Sequence, residues 1–78
     1  MSTNEKIMFS IIGKVLFLRE DNINKELSLH YDLGASNSEI RKILQLIKER
    51  FKVEIPKQEL QLTLTIDTLL KYVEGEYV

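Results

Sequence analysis

The sequence contains no cysteine, and its 78 residues include only one proline, three glycines and one histidine. Without cysteine the chain cannot form a disulfide, a thiolate metal site or a thiol nucleophile, and we expect it in a reducing cytoplasm. The scarcity of helix breakers, with 44% apolar and 29% charged residues, indicates a folded helical protein. This length suits one domain with one small core, which we predict to span residues 1–78.

Several classes of site and partner are disfavoured by the same composition. The single histidine, His30, lacks partners at the spacing of a metal site, so we expect it to be exposed or packed in a loop and expect no bound metal. The apolar run over residues 7–18 is shorter than the ~20 residues that cross a bilayer, and we predict a buried helix and no membrane partner. A net charge of -1 argues against binding to nucleic acid.

Three apolar patterns with helical spacing follow one another along the chain. The first has its members at i, i+3, i+4 and i+7: Met8, Ile11, Ile12 and Val15. Thr3 or Asn4 is placed to cap this helix. Gly13 lies inside it at a cost of about 1 kcal/mol relative to alanine, which a close helix crossing would explain.

The second pattern predicts the clearest helix of the chain. Its members are Ile40, Ile43, Leu44, Ile47 and Phe51. The start of this helix is marked by a capping box, in which the Ser36 hydroxyl accepts from the amide of residue 39 and Glu39 reaches back to the amide of residue 36. Ile55 cannot be helical because Pro56 follows it, and Pro56 suits the start of a short turn through Leu60.

The third pattern predicts a final helix capped by Thr65 and ending near Gly75. Its buried stripe consists of Ile66, Leu69, Leu70 and Val73. Leu64 and Leu69 fit a hydrophobic staple across the start of this helix.

A long connection over residues 19–35 joins the first two helices. Because such a connection must be held against the bundle, we expect four of its apolar residues to pin it: Leu27, Leu29, Tyr31 and Leu33. The predicted fold is therefore an all-α bundle of three main helices and a short fourth, with a long first connection, and we expect it to be a monomer.

Three segments in register carry a resemblance to a known family. They are Asp32-Leu33-Gly34-Ala35 before the second helix, residues 51–56 after it, and residues 65–73 at the end. On these segments the chain resembles the acyl carrier proteins over essentially its whole length. The resemblance implies a small helical bundle that carries acyl intermediates on a phosphopantetheine arm and catalyses nothing itself.

The attachment residue of that family departs from the pattern here. The family carries its arm on the serine of an Asp-Ser-Leu triplet, and the corresponding residues in this chain are Ser36, Asn37 and Ser38. Asn37 has no hydroxyl with which to form the phosphodiester. Ser36 and Ser38 are the substitute attachment residues, although an N-cap role for Ser36 and a polar first-turn role for Ser38 account for both without any arm.

The charge of the second helix is also unusual for the family, whose second helix is acidic. Residues 36–51 contain four cations, Arg41, Lys42, Lys48 and Arg50, and the two carboxylates Glu39 and Glu49. If this face docks to enzymes, with Glu39, Arg41 and Lys42 in contact, the sign of the field favours a more acidic partner than usual. A solvated helix face with mixed charge is the alternative.

The resemblance implies a carrier that handles acyl or related intermediates in lipid or secondary-metabolite synthesis, with phosphopantetheine as cofactor. Its partners would be acyl-transfer or synthase enzymes and a phosphopantetheinyl transferase. The alternative is a degenerate carrier fold that acts without cofactor as a protein-interaction or regulatory module.

Overall fold

The protein is an all-α bundle in a computed structural model that describes residues 2–56, 60, 61 and 63–75. Helix α1 spans Thr3–Leu16, a 3-10 turn spans Glu20–Asn22, α2 spans Asn37–Phe51 and α3 spans Ile66–Val73. Helix α1 packs against both α2 and α3. Within the described ranges there is no strand, and no helix combines the length and apolar character needed to cross a membrane.

The N-cap of α1 lies one residue before Thr3 and two before Asn4, the two predicted caps. Ser2 is the N-cap, and its hydroxyl accepts a hydrogen bond from the Glu5 amide at 3.2 Å, so the prediction of Thr3 or Asn4 was wrong. Any short polar side chain in this stretch could cap, and the register is set by which residues reach the core. Met8 and Ile12 are fully buried as predicted, and Ile11 and Val15 pack against the buried core from its edge.

The end of α1 explains Gly13. The Gly13 carbonyl accepts from the amides of Phe17 and Leu18, and Phe17 adopts the left-handed conformation with φ 57°. A Cβ on Gly13 would lie 2.8 Å from the Leu18 carbonyl oxygen. Glycine is therefore required by the chain that folds back after α1, and not by a second helix that crosses close to it.

Gly13→Ala is expected to lower the free energy of unfolding, although alanine is the better helix former by about 1 kcal/mol. The Leu18 carbonyl is backbone and belongs to the turn that ends α1, so relief of the clash must move that turn. We expect a net loss of about 1–3 kcal/mol in urea unfolding. A Gly13→Ala chain that is more stable than the wild type would contradict this explanation of the glycine.

Helix α2 forms as its pattern predicts, and its apolar stripe faces the centre of the bundle. Ile40, Ile43 and Ile47 are buried, and Leu44 and Phe51 pack against the core from its edge. The helix ends at Phe51, and the next residue, Lys52, caps it in the left-handed conformation with φ 60°. Residues 53–56 then continue without helix, and Ile55 returns to the core.

Helix α3 also confirms its prediction. Thr65 is the N-cap and accepts from the Thr68 amide at 3.3 Å, and Gly75 follows the helix with φ 80°. Ile66, Leu69 and Leu70 are buried, and Val73 packs at the edge of the core. Residues 57–59, the central part of the predicted short turn from Pro56 through Leu60, lie outside the described residues.

The long connection crosses the bundle and is hydrogen-bonded to the chain before α3. The Leu29 amide donates to the Leu64 carbonyl at 3.0 Å, and the Ile66 amide donates to the Leu27 carbonyl at 3.1 Å. Leu29 is fully buried and Leu33 packs against the core. Tyr31, however, is 63% exposed, so its predicted packing role was wrong. The segment here is a helical turn and not an extended strand, so alternate residues do not share a face.

Candidate functional site

The candidate site consists of the turn over residues 28–35 and the first turn of α2. The turn is closed by two residues that hydrogen-bond each other. The Ser28 amide donates to Asp32 Oδ2 at 2.8 Å, and Ser28 Oγ accepts from the amides of Tyr31 at 2.9 Å and Asp32 at 3.2 Å. Asp32 therefore has a structural role in the Asp-Leu-Gly-Ala segment. The sequence signal for it, a serine with an acidic residue four positions later, is a variant of the capping box.

Gly34 ends this turn and redirects the chain into α2. Its φ is 71°, and its amide donates to the His30 carbonyl at 3.1 Å. A Cβ at Gly34 would meet nothing within 4 Å, so the backbone angle and not a shortage of space requires glycine here. The next residue, Ala35, is fully buried and its amide donates to the Leu29 carbonyl at 2.8 Å. The start of α2 is thereby held against the core.

His30 packs within the loop, which confirms one of the two alternatives predicted for it. Its Nδ1 lies 3.2 Å from the Ala35 carbonyl oxygen, to which it donates when that nitrogen carries the proton. Its ring meets the Tyr31 ring edge-on, with the centroids 5.3 Å apart. In the described part of the chain, no three histidine, cysteine or acidic residues lie close enough together to hold a metal ion.

The first turn of α2 has the predicted capping box. The Glu39 amide donates to Ser36 Oγ at 3.2 Å, and the Ser36 amide donates to Glu39 Oε1 at 2.8 Å. Ser36 Oγ also lies 3.2 Å from Ser38 Oγ. The Ser36 hydroxyl is thus used by the helix start. The Ser38 hydroxyl belongs to the second residue of α2, and among the described residues its hydrogen-bond partner is Ser36 Oγ alone.

Asn37 is the first residue of α2 and is exposed. A side chain here projects into solvent beside the positive end of the helix, the position that suits a phosphate. The carboxamide supplies no hydroxyl, so a phosphopantetheine ester does not fit residue 37. The Ser36 hydroxyl is occupied by the cap, and a phosphate on it would lie beside the Glu39 carboxylate.

The predicted contact residues Glu39, Arg41 and Lys42 lie together on the first two turns of α2. Arg41 and Lys42 are exposed, whereas Glu39 is half-buried. Further along the helix, Lys48 pairs with Glu54 at 3.2 Å. The cations at the start of α2 are in none of the ion pairs between described residues, which leaves a positive surface next to Ser38.

No protein-family model matches this sequence.

Proposed function

We propose that this chain is an acyl-carrier-like protein that handles acyl intermediates in lipid or secondary-metabolite synthesis and is not itself an enzyme. The observation that supports this most is the exposed first turn of α2, whose residues 36–38 face solvent at the end of a loop anchored by Leu29 and Ala35. A carrier needs such an arrangement, because its arm must move freely while its base stays in one place.

Ser38 is the attachment residue in this proposal. Its hydroxyl is exposed and is not needed by the cap, and it lies one residue beyond Asn37. That shift turns the attachment point by about 100° around the helix and moves it about 1.5 Å along the axis. The phosphopantetheine arm would supply a thiol on which acyl groups are held as thioesters. The protein's own contribution is to present this base to acyl-transfer or synthase enzymes.

Docking in this proposal uses the surface formed by Glu39, Arg41 and Lys42. Two exposed cations beside a half-buried carboxylate give this face a positive field, so the enzymes it meets should present acidic side chains. The phosphopantetheinyl transferase would meet the same surface. The single carboxylate Glu39 is engaged by the cap and contributes little attraction of its own.

A cofactor-free interaction or regulatory module is the second candidate. The specific observation in its favour is that residue 37 is asparagine while the helix start is complete, with both amides of the capping box satisfied. Such a helix start is stable without any arm. In this case α2 would bind its partner through side chains alone.

Intact-mass measurement after co-expression with a broad-specificity phosphopantetheinyl transferase separates the two. The carrier proposal predicts that the wild-type chain gains the mass of the arm and that Ser38→Ala does not. Ser36→Ala is the matched control: it should still be modified, although loss of the cap lowers its stability by about 1 kcal/mol. A wild-type chain that stays bare, and that still stays bare with Arg41→Glu and Lys42→Glu, overturns the carrier proposal and favours the cofactor-free module.

A further inference from the structure

A groove between α1 and α2, away from the start of α2, has an apolar floor and a charged rim. Its volume is about 560 Å³, and its walls come from residues 6–14 of α1 and residues 46–50 of α2. Three apolar side chains, Ile7, Ile11 and Leu46, line it and are half-buried. Ile11 packs against the buried core, whereas Ile7 and Leu46 are outside the set of residues that does so. The core formed by the described residues therefore does not account for these two side chains.

The rim of the groove is cationic on both walls. Lys6 and Lys14 stand on α1, and Arg50 stands on α2. The ion pairs between described residues use Arg19, Lys48 and Lys71, and none of the three rim cations. Among the described residues that line the groove, the one carboxylate is that of Glu49, which accepts from Gln45 Nε2 at 3.2 Å. This local positive charge contrasts with the net charge of -1 of the chain.

We propose that this groove binds an acidic amphipathic helix of a partner protein. An apolar ridge of such a helix would cover Ile7, Ile11 and Leu46, and carboxylates on both sides of the ridge would meet the cations on the two walls. Lys6 and Lys14 are eight residues apart, about 12 Å along α1, so carboxylates two helical turns apart on the partner would match them. A concave groove fits a helical ridge better than it fits a flat membrane.

This inference goes beyond the proposed carrier function and does not depend on it. The groove shares no residue with the surface of Glu39, Arg41 and Lys42, and it is complete without an arm on Ser38. Loss of groove binding would leave modification of Ser38 intact. Equally, a chain that is never modified could still bind a partner here.

Titration of the isotope-labelled full chain with a designed peptide tests the proposal. The probe is an acidic helical peptide of about 16 residues, with leucine on one face and glutamate on both flanks. Amide NMR signals of residues 6–14 and 46–50 should shift and saturate, and added salt should weaken binding because the contacts are ionic. The same peptide with lysine in place of each glutamate should bind at least about tenfold more weakly.

Variants of the chain make the test specific. Lys6→Glu with Lys14→Glu should weaken binding of the acidic peptide by about tenfold or more, and Leu46→Gln should weaken it without any change of charge. Lys25→Glu, a single charge reversal at an exposed residue outside the groove, should leave the affinity within about twofold. Circular dichroism confirms that each variant is folded.

Several results would overturn the proposal. They are signal shifts confined to other residues, equal binding of the lysine peptide, and a Lys6→Glu, Lys14→Glu chain that binds the acidic peptide as the wild type does. Sedimentation with phosphatidylglycerol vesicles tests whether the groove contacts a membrane surface instead. If the chain binds these vesicles through Lys6 and Lys14 and ignores the peptide, then the groove is a membrane contact and not a site for a protein helix.

Discussion

Asn37→Ser, made in a Ser38→Ala background, is expected to take up a phosphopantetheine arm when co-expressed with a broad-specificity transferase, whereas Ser38→Ala alone stays bare. Residue 37 is the first residue of α2, is exposed, and follows a cap that Ser36 completes without it. A serine there would place its hydroxyl beside the positive end of the helix, where a phosphate is favoured. Each molecule either gains the full mass of the arm or keeps its original mass.

The matched control for this experiment is Asn37→Ala in the same background. It removes the carboxamide but adds no hydroxyl, so its mass should not change. If Asn37→Ser in the Ser38→Ala background also stays bare, then a hydroxyl at residue 37 is not sufficient for modification. The exposed cations Arg41 and Lys42 would then account for the failure, because they repel the basic surfaces that dock to acidic carriers. Arg41→Glu with Lys42→Glu should in that case restore modification.

Leu29→Ala is expected to be the most destabilising single change in the long connection. Leu29 is fully buried, and its amide and carbonyl bond the Leu64 carbonyl and the Ala35 amide respectively. Truncation of a buried leucine costs about 2–5 kcal/mol, a large part of the stability of a chain of this size. The midpoint of thermal unfolding should fall by about 10 °C or more, which calorimetry or circular dichroism would measure.

Tyr31→Ala provides the comparison from the same turn. Tyr31 is 63% exposed, and its ring packs in a T-shaped arrangement with the His30 ring. We expect a loss within about 0.5 kcal/mol, as for other surface substitutions. Equal losses for Leu29→Ala and Tyr31→Ala would contradict the conclusion that only one face of this turn holds the connection to the bundle.

The positions of α2 and α3 were predictable because their signals are local. The capping box of Ser36 and Glu39 joins residues three apart, and the Thr65 cap lies directly before its helix. Apolar stripes at helical spacing then identify the face that is buried. The start of α1 was harder to predict, since several consecutive polar residues can cap and Ser2 was the one used.

The conformation of the long connection could not be predicted in the same way. Tyr31 and Leu29 are both large and apolar in character, and only the helical turn closed by Ser28 and Asp32 decides that one is exposed and the other buried. Gly13 shows the same limit. Its neighbour is the Leu18 carbonyl, which approaches it because of how α1 ends, and no spacing along the sequence reveals this distance.

The loop and helix start at residues 28–39 depend partly on local sequence and partly on tertiary contacts. By itself the sequence determined that Ser36 caps α2, that residue 37 has no hydroxyl and that the helix is positive, since these depend on residue type and near neighbours. The tertiary structure decided which hydroxyl is committed to the cap, which side chains anchor the loop, and that Ile7 and Leu46 meet in a cationic groove. Those outcomes depend on contacts between distant parts of the chain, which packing selects among many locally acceptable arrangements.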